Sequence, residues 1–322
     1  MKAIFLGAGC SYGTLCGHDA CPPLAKDFGS CLARRAPEFE TRFPELVKVA
    51  HHLRTTLPKI GLEELWTCID YYAKFSPPRG SLLDSPPWNW VVAATELKTG
   101  ALLELYGSRL DEVAEALPKS TNYTLGKLLV EQVKAGDVLI SFNYDTIVER
   151  LARNSGVRLT HGAGAEETSA VRFAKPHGST SWKLNSPPQL TDEPFLHSLP
   201  CKNEPPLMLG AVPIKSELIL EVQFCYGACD VFHVVMSQWE AVVDAVRDAE
   251  KLVILGYSFP REDLYGRFLF KEGMRQRDGR KITIEYYDVN EKVGESILET
   301  FLMKDIKIDL CWKGRVTAAW PK

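Results

Sequence analysis

The sequence predicts an α/β protein with a doubly wound, mostly parallel, Rossmann-like sheet and an inserted helical subdomain. Short, continuous apolar runs alternate along the chain with segments whose apolar residues recur at helical spacing. This alternation is typical of a parallel sheet covered by helices on both faces, because strands buried on both sides need no polar positions. Hydrophobic residues make up 45% of the 322 residues, which is enough for the large core of such a fold.

The first strand is predicted at the N-terminus, where the apolar run AIFLGAG ends in glycines. The segment PPLAKDFGSCLARRA begins with two prolines and predicts a helix, because proline is tolerated in the first helical turn. The later predicted strands are DVLISFNYD, VRLTH, VRFAKPHG, KLVILGYSF, KITIEYYDVN and KIDLCW. Helices are predicted at TIVERLARNSG, which Gly156 ends, and at SQWEAVVDAVRDAE, DLYGRFLFKEGMRQR and EKVGESILETFL.

A different pattern occupies residues 37–118. Three long segments there carry apolar residues at helical spacing, and no strand-like run interrupts them. We therefore predict that residues 37–118 form an inserted helical subdomain, while residues 1–36 and 119–322 form the sheet-containing core. The tryptophans of the insertion are expected to be packed in its interior; the alternatives are that they cover a cleft at the sheet or form an interface. They are Trp66, Trp88 and Trp90.

Charge, cysteine content and hydropathy exclude several classes of function. The formal net charge is −3, so the chain has no global basic field for a nucleic acid, and such a partner is disfavoured. The 9 cysteines are irregularly spaced and odd in number, which favours a reducing cytoplasm. No segment reaches the roughly 20 apolar residues that span a bilayer, and MKAIFLGAG is too short in its apolar run for a signal peptide. We expect a cytoplasmic protein with no membrane partner.

The glycine-rich stretch after the first predicted strand, FLGAGCSYGT, indicates a nucleotide site. Gly7 and Gly9 allow a sharp turn and a close approach to a pyrophosphate, and Ser11 adds a hydroxyl donor near a helix N-terminus. The dehydrogenase fingerprint G-x-G-x-x-G fails, because Tyr12 stands where its third glycine belongs. The alternative is a plain strand-to-helix turn.

Two further strand ends carry polar side chains suited to catalysis. In SFNYDT, Asn143 and Asp145 are two residues apart and could together orient a water and hold a carboxamide, or could form an Asx turn with Asp145 as the cap of the next helix. In KPHGS, His177 stands between a proline and a glycine on a constrained loop. It could accept a proton from a sugar hydroxyl or a water, or it could be a structural histidine bonded to a backbone carbonyl.

The last two strand ends suit the adenosine half of a nucleotide. LVILGYSF supplies a further close-approach glycine, Gly256, and the hydroxyl of Ser258. YYDVN ends in polar groups that could bind ribose hydroxyls, and the alternative for Asn290 is a helix cap. The chain has no P-loop motif and no G-x-S-x-G nucleophile elbow. Its cysteines also lack the paired C-x-x-C spacing of a zinc site, so no metal is predicted.

The motifs GAGCS, FNYD, PHG, GYSF and DVN, in this order, resemble the NAD-binding motifs of the sirtuin superfamily. The resemblance is closer to the sirtuin-like NAD hydrolases of bacterial antiphage defence than to the protein deacylases. It implies a sirtuin-like NAD-binding core in residues 1–36 and 119–322. The resemblance implies that Gly7, Ala8, Gly9 and Ser11 line the turn that binds the NAD phosphates. It implies that Asn143 is the catalytic asparagine, that Asp145 contacts the nicotinamide carboxamide and that His177 is the catalytic histidine. Gly256 and Ser258 would approach the phosphates and the adenosine ribose, and Asn290 would bind the adenosine ribose.

The chain departs from the deacylases in two respects. Deacylases carry a four-cysteine zinc module between the histidine and the later glycine motif, whereas this chain has only Cys201, Cys225 and Cys229 there, without paired spacing. Deacylases also have a glutamine before the catalytic asparagine, whereas the motif in this chain begins SFN. The resemblance therefore implies an NAD⁺ glycohydrolase that releases nicotinamide and ADP-ribose in antiphage defence, controlled by homo-oligomerisation or by a regulatory protein partner. The alternatives are a sirtuin-type deacylase or ADP-ribosyltransferase, and a catalytically silent NAD or ADP-ribose sensor.

Overall fold

The structure is a computed structural model of the chain. It describes residues 1–15, 21–24, 27–35, 128–161, 169–179, 229–261, 263–277, 279–301 and 306–314, together with the single residues 37, 38, 41, 44, 52, 55 and 125. The predicted helical insertion of residues 37–118, with its three tryptophans, lies outside the described residues apart from a few single positions.

Strands and helices alternate along the described part of the chain. The strands are β1 (Lys2–Leu6), β2 (Val138–Ser141), β3 (Leu159–His161), β4 (Val171–Ala174), β5 (Lys251–Leu255), β6 (Ile282–Tyr287) and β7 (Ile308–Trp312). The α-helices are α1 (Ala8–Leu15), α2 (Phe28–Arg35), α3 (Ile147–Asn154), α4 (Cys229–Asp248), α5 (Leu264–Arg275) and α6 (Val293–Phe301), and a short π-helix covers Leu128–Gln132. None of the helices in these segments has the length and apolar character needed to cross a bilayer.

The strands form one sheet in the order β3-β4-β2-β1-β5-β6-β7, and each neighbouring pair is parallel. In the centre of the sheet, Phe5 of β1 lies opposite Ile140 of β2 on one side and Ile254 of β5 on the other. The predicted α/β fold with a parallel, Rossmann-like sheet is therefore confirmed. Each strand predicted from an apolar run is present in the sheet.

The strand order contains a reversal that positions the site. The chain forms β2 beside β1, then β3 at the edge of the sheet, and then β4 between β2 and β3. It then crosses to the other side of β1 with β5, and β6 and β7 extend the sheet outward. In open α/β sheets, ligands bind in the crevice at such a reversal, outside the carboxyl ends of the strands. The crevice expected here lies between the ends of β1 and β5.

Both faces of the sheet are buried, which explains why its central strands are continuous apolar runs. Along β1, Ala3 and Phe5 belong to a core cluster with residues of α4, α5 and α6. Ile4 and Leu6 belong to a second cluster with residues of α1, α3 and the π-helix. Successive side chains of a strand point to opposite faces, so a strand covered on both sides has no solvent-facing position to fill with polar residues.

Helix α1 is an element that the sequence analysis did not assign. It begins at Ala8, directly after β1, whereas the first helix was predicted further along, in the segment that contains α2. Two glycines in its eight residues lower its helical propensity. Tertiary packing explains its presence, because Cys10 and Leu15 are buried in the core cluster on the sheet.

Replacing Gly256 with alanine is expected to lower the free energy of unfolding by about 2–5 kcal/mol. Gly256 has a φ of +59°, and a Cβ there would lie 2.6 Å from the Cys10 nitrogen and 2.7 Å from the Gly9 Cα. Backbone atoms of the neighbouring turn cannot move aside as a flexible side chain can. Urea denaturation of the variant and the wild type measures the difference.

Gly156 supplies the matched control for this substitution. Its φ of +68° is similar, but nothing lies within 4 Å of the point that a Cβ would occupy. Gly156→Ala should therefore lower the free energy of unfolding by only about 1–2 kcal/mol, the cost of placing a residue with a Cβ in the left-handed conformation. An equal cost for the two variants would contradict the close packing of the two turns.

Candidate functional site

The five motifs predicted to form the site follow five strands that are neighbours in the sheet. GAGCS follows β1, FNYD follows β2, PHG follows β4, GYSF follows β5 and DVN follows β6. These strands stand in the order β4-β2-β1-β5-β6, and all are parallel, so the motifs gather along one edge of the sheet. The edge strands β3 and β7 carry none of the five. The motifs are thus grouped around the reversal between β1 and β5.

The two glycine turns pack directly against each other at this reversal. The Gly7 nitrogen donates to the Leu255 oxygen at 2.9 Å, and the Gly9 nitrogen donates to the Gly256 oxygen at 3.0 Å. A Cβ on Gly7 would lie 2.4 Å from the Gly256 oxygen. Glycine is therefore required at these positions by the contact between the turns, whether or not a phosphate also approaches them. Ala8, the first residue of α1, is exposed.

Asn143 connects the FNYD loop to the GAGCS turn. Its Nδ2 donates to the Gly7 oxygen at 2.9 Å and to Ser11 Oγ at 2.8 Å. The Gly7 carbonyl can only accept, so the amide orientation is unambiguous. Both N–H donors of the side chain are used in this way, and Oδ1 is the atom that can accept a hydrogen bond from a ribose hydroxyl or a water. Ser11 is 1% exposed and Asn143 is 6% exposed.

Asp145 is buried beside this contact. Its Oδ1 accepts from the Ile147 nitrogen at 3.1 Å, which is the predicted Asx turn. The alternative that Asp145 caps the next helix agrees with this hydrogen bond, although the residue directly before α3 is Thr146, whose side chain makes no capping hydrogen bond. Burial raises the pKa of the Asp145 carboxyl, against the opposing charge of Lys175 and a hydrogen bond from the Ser11 side chain. A carboxyl in this setting can hold a proton at a higher pH than an exposed aspartate.

Lys175 is a central residue that the sequence analysis missed. It directly follows β4, is fully buried, and forms an ion pair with Glu149 of α3 at 3.0 Å. Its Nζ also donates to Ser179 Oγ at 2.9 Å and to the backbone oxygens of Tyr144 and Asp145. A single ammonium therefore holds the KPHGS loop against the FNYD loop. The signal in the sequence is a lysine directly after a buried apolar strand.

The stability of the Asp145→Asn variant relative to the wild type is expected to increase as the pH rises. The folded-state pKa of Asp145 is raised above its ordinary value of 3.8. Its carboxyl therefore contributes stability that is complete below that value and is lost as the pH rises through the raised pKa. Asparagine does not titrate and suffers no such loss. Urea denaturation between pH 4 and pH 7 measures the difference in the free energy of unfolding; a difference that is constant with pH contradicts the prediction.

His177 lies on a well-anchored loop after β4. Its Nε2 is 2.9 Å from Asp263 Oδ2, and its ring meets the Phe142 ring edge-on at a centroid distance of 5.0 Å. The Pro176 oxygen accepts from Trp239 Nε1 at 3.1 Å, which ties the loop to α4. Gly178 has a φ of +86°, so the tight turn predicted after the histidine is present. His177 is 3% exposed.

Asn143 and His177 contact different partners on the two sides of the FNYD loop. Asn143 is bonded towards Gly7 and Ser11, which belong to the turn and helix after β1. Phe142, the adjacent residue, packs against His177 and belongs to the core cluster on the face of α4, α5 and α6. The sheet edge therefore carries an amide group on one side of this loop and an imidazole on the other.

The residues predicted to contact the adenosine ribose are more accessible. Ser258 and Asn290 are both exposed. Asn290 Oδ1 accepts from the Lys292 nitrogen at 3.1 Å, so this side chain does cap the turn that leads into α6. Between these residues in the sequence, Phe259 has a φ of +51° while its side chain is 1% exposed. A positive φ is uncommon for an aromatic residue, and strain of this kind is concentrated at functional sites.

The Cys10 thiol, although it lies within the GAGCS turn, is not suited to nucleophilic chemistry. Burial, with a smaller contribution from the Asp145 charge, raises its pKa to about 12, so the thiol remains protonated at neutral pH. Among the residues that the structure describes, no group of three or more His, Cys, Asp or Glu side chains is arranged to hold a metal ion. Cys201 and Cys225 lie outside those residues.

No protein-family model matches the chain, and no curated protein is significantly similar to it in sequence.

Proposed function

We propose that the protein is a sirtuin-like NAD⁺ glycohydrolase that cleaves the nicotinamide–ribose bond to give nicotinamide and ADP-ribose. The observation that carries the proposal is the convergence of five separate motifs on five neighbouring strand ends at the reversal of the sheet. A crevice at that position is where doubly wound sheets bind nucleotides. Antiphage defence in the cytoplasm, under control of oligomerisation or of a protein partner, is the biological setting that the proposal includes.

The order of the strands suggests how the dinucleotide would lie. The two packed glycine turns, after β1 and β5, are at the centre of the group of motifs and suit the pyrophosphate. FNYD and PHG, after β2 and β4, lie on one side of that centre and suit the nicotinamide riboside. GYSF and DVN, after β5 and β6, lie on the other side, where the exposed Ser258 and Asn290 suit the adenosine ribose.

The chemistry needs few groups, because the leaving group is a cationic pyridinium that departs without a general acid. As the C1′–N bond breaks, its electron pair goes to the nicotinamide nitrogen, and the ribose acquires oxocarbenium character. Asn143, with Oδ1 available, would orient a ribose hydroxyl or the attacking water. Asp145 would hold the carboxamide. His177 would accept the proton that the water loses as its oxygen bonds to C1′.

The test is incubation of the purified full-length protein with NAD and no acceptor, followed by chromatographic quantification of the products. Equal amounts of nicotinamide and ADP-ribose are expected, and the rate should fall about 10²-fold in Asn143→Ala, because a reactant is no longer oriented. Asn154→Ala is the matched control, since Asn154 is exposed at the end of α3. The assay covers a range of protein concentrations, so that an oligomer-dependent activity is detected.

Three outcomes would contradict the proposal. A strict requirement for an acyl-lysine substrate would identify a deacylase, and transfer of ADP-ribose to an added acceptor without hydrolysis would identify a transferase. Tight binding of NAD or ADP-ribose in calorimetry, with no turnover at any protein concentration, would identify a sensor.

A further inference from the structure

We propose that Asp288 selects NAD over NADP: its carboxylate binds the hydroxyls of the adenosine ribose and repels the 2′-phosphate that NADP carries there. The kinetic consequence of this inference rests on the proposed NAD hydrolysis. Asp288 has no role among those that the five motifs imply. The inference is carried by the position of Asp288 beside the second glycine turn and by the hydrogen bonds of its carboxyl group.

Asp288 directly follows β6, where this strand contacts the second glycine turn. The Gly256 nitrogen donates to the Tyr287 oxygen at 2.9 Å, so the residue just before Asp288 is bonded to a turn that suits the pyrophosphate. β5 and β6 are parallel neighbours, and adjacent strands are about 5 Å apart. Asp288 therefore lies about one strand spacing beyond the glycine turn, on the side away from β1.

This order of elements is the one with which doubly wound sheets recognise a ribose. A glycine turn follows one strand, a helix leads to the next parallel strand, and an acidic residue at the end of that second strand accepts from ribose hydroxyls. Here Gly256 follows β5, α5 is the connecting helix, and Asp288 follows β6. The β5–α5–β6 unit thus carries both parts of a site for the adenosine half of a dinucleotide.

The Asp288 carboxyl is oriented by the backbone and still has acceptor capacity. Its Oδ1 accepts from the Asn290 nitrogen at 2.9 Å, and the backbone N–H of Val289 also hydrogen-bonds the carboxyl. A carboxylate offers about four lone-pair positions, so two backbone donors leave room for ribose hydroxyls. The residue is half-buried, and the ion pairs formed within the described segments do not include it.

Contacts with β7 and the residues after it fix the backbone of Asp288. Its nitrogen donates to the Gly314 oxygen at 2.9 Å, and its oxygen accepts from Trp312 Nε1 at 3.3 Å. Burial raises the pKa of the Asp288 carboxyl, and the backbone donors oppose this rise. Burial has this effect because it removes water that would solvate the charge. The hydroxyls of a bound ribose would replace that water.

Asn290, in the same turn, does not discriminate between the two dinucleotides. Its Oδ1 accepts from the Lys292 nitrogen, which leaves the amide donors, and these can bind a phosphate as well as a hydroxyl. A carboxylate only accepts hydrogen bonds, so it favours the hydroxyl. The other charged residues of the turn are Glu291 and Lys292, both exposed. With Asp288, two carboxylates and one ammonium make the turn negative overall, which also disfavours a phosphate.

The test compares NAD and NADP as substrates of the purified full-length protein, with nicotinamide release as the readout. For the wild type, kcat/KM for NAD should exceed that for NADP by about 10²-fold or more, because a 2′-phosphate would face a carboxylate. In Asp288→Asn the preference should fall below about tenfold. The asparagine oxygen can keep the hydrogen bond from the Asn290 nitrogen, but the amide carries no charge to repel the phosphate.

Glu291→Gln is the matched control, because it removes one negative charge from an exposed position of the same turn. Its preference for NAD should stay within about threefold of the wild-type value, since solvent screens an exposed charge. Asn290→Ala should also keep the preference, even if it binds both dinucleotides less well. If Glu291→Gln loses as much selectivity as Asp288→Asn, the general charge of the turn makes the selection and the role of Asp288 is refuted.

Calorimetry with ADP-ribose and with ADP-ribose 2′-phosphate gives a readout that does not depend on turnover. The wild type should bind ADP-ribose about 10²-fold more tightly, and the two dissociation constants should differ by less than about tenfold in Asp288→Asn. If Asp288→Asn does not fold, Asp288→Ser makes the same comparison, because a serine hydroxyl can also accept from the backbone nitrogen two residues on.

The outcomes separate this inference from the proposed function. A wild type that does not hydrolyse NAD, yet prefers ADP-ribose to its 2′-phosphate through Asp288, would overturn the hydrolase and support the selection. A wild type that hydrolyses NAD and NADP equally well would overturn the selection and leave the hydrolase intact. A preference for NAD that persists in Asp288→Asn would overturn the assignment to this residue, and a protein that binds none of the four ligands would overturn both proposals.

Discussion

Replacing His177 with alanine is expected to lower the rate of nicotinamide release from NAD by about 10²–10⁴-fold, the usual contribution of one positioned base. The imidazole is buried, lies 2.9 Å from a buried carboxylate, and sits on a loop fixed to two helices. Such a group can move a proton without reorganisation. Because alanine removes the base and not the glycine turns, the dissociation constant for NAD measured by calorimetry should change far less than kcat.

Two controls make this result interpretable. His52→Ala removes an imidazole that is exposed, and its turnover should equal that of the wild type. A thermal melt of His177→Ala, with and without NAD, shows whether the variant is folded and still stabilised by the ligand. Wild-type turnover by a folded His177→Ala would remove the base from the proposed mechanism.

Replacing Lys175 with methionine is expected to destabilise the folded protein by about 3–5 kcal/mol, or roughly 10 °C in Tm. The substitution leaves the Glu149 carboxylate, 5% exposed, without its counter-charge. Burial already raises the pKa of Glu149, and the charge of Lys175 is the main effect that opposes this rise. The loss should be largest at neutral pH, where an unpaired buried carboxylate either stays charged at high cost or takes up a proton.

The double variant Lys175→Met/Glu149→Leu tests the reason for the loss. Removing both charges should restore at least half of the lost stability, because the uncompensated carboxylate is gone while only the hydrogen bonds to the loop remain absent. Lys251→Met is the matched control: Lys251 and Glu285 are 2.8 Å apart on the sheet, but the lysine is 41% exposed, so at most about 1 kcal/mol should be lost. Similar losses for the two single variants would contradict the argument.

Because Lys175 also joins the two loops of the candidate site, the double variant carries a second prediction. It should be more stable than Lys175→Met and yet remain impaired in nicotinamide release, since the ammonium that joins the KPHGS loop to the carbonyls of Tyr144 and Asp145 is missing. Recovery of both stability and turnover would show that the ion pair has no part in arranging the site.

The secondary structure of the core was predictable because its signals are local. The run KLVILGYSF predicts β5 at Lys251–Leu255, and TIVERLARNSG predicts α3, which ends before Gly156 with its φ of +68°. The exception is α1, whose two glycines conceal a helix that depends on packing of Cys10 and Leu15 against the sheet.

By itself, the sequence determined the parallel α/β class, the approximate position of each strand, and the set of polar residues that follow the strands. These depend on the spacing of apolar residues and on turn chemistry, which a chain expresses over a few neighbouring positions. Only the tertiary structure decided that β4, β2, β1, β5 and β6 stand side by side, that Gly256 packs on Gly9, and that Lys175 and Asp263 lie behind the site. A buried lysine or aspartate looks like any other charged residue in a sequence, because its partner is brought to it by the fold from a distant part of the chain.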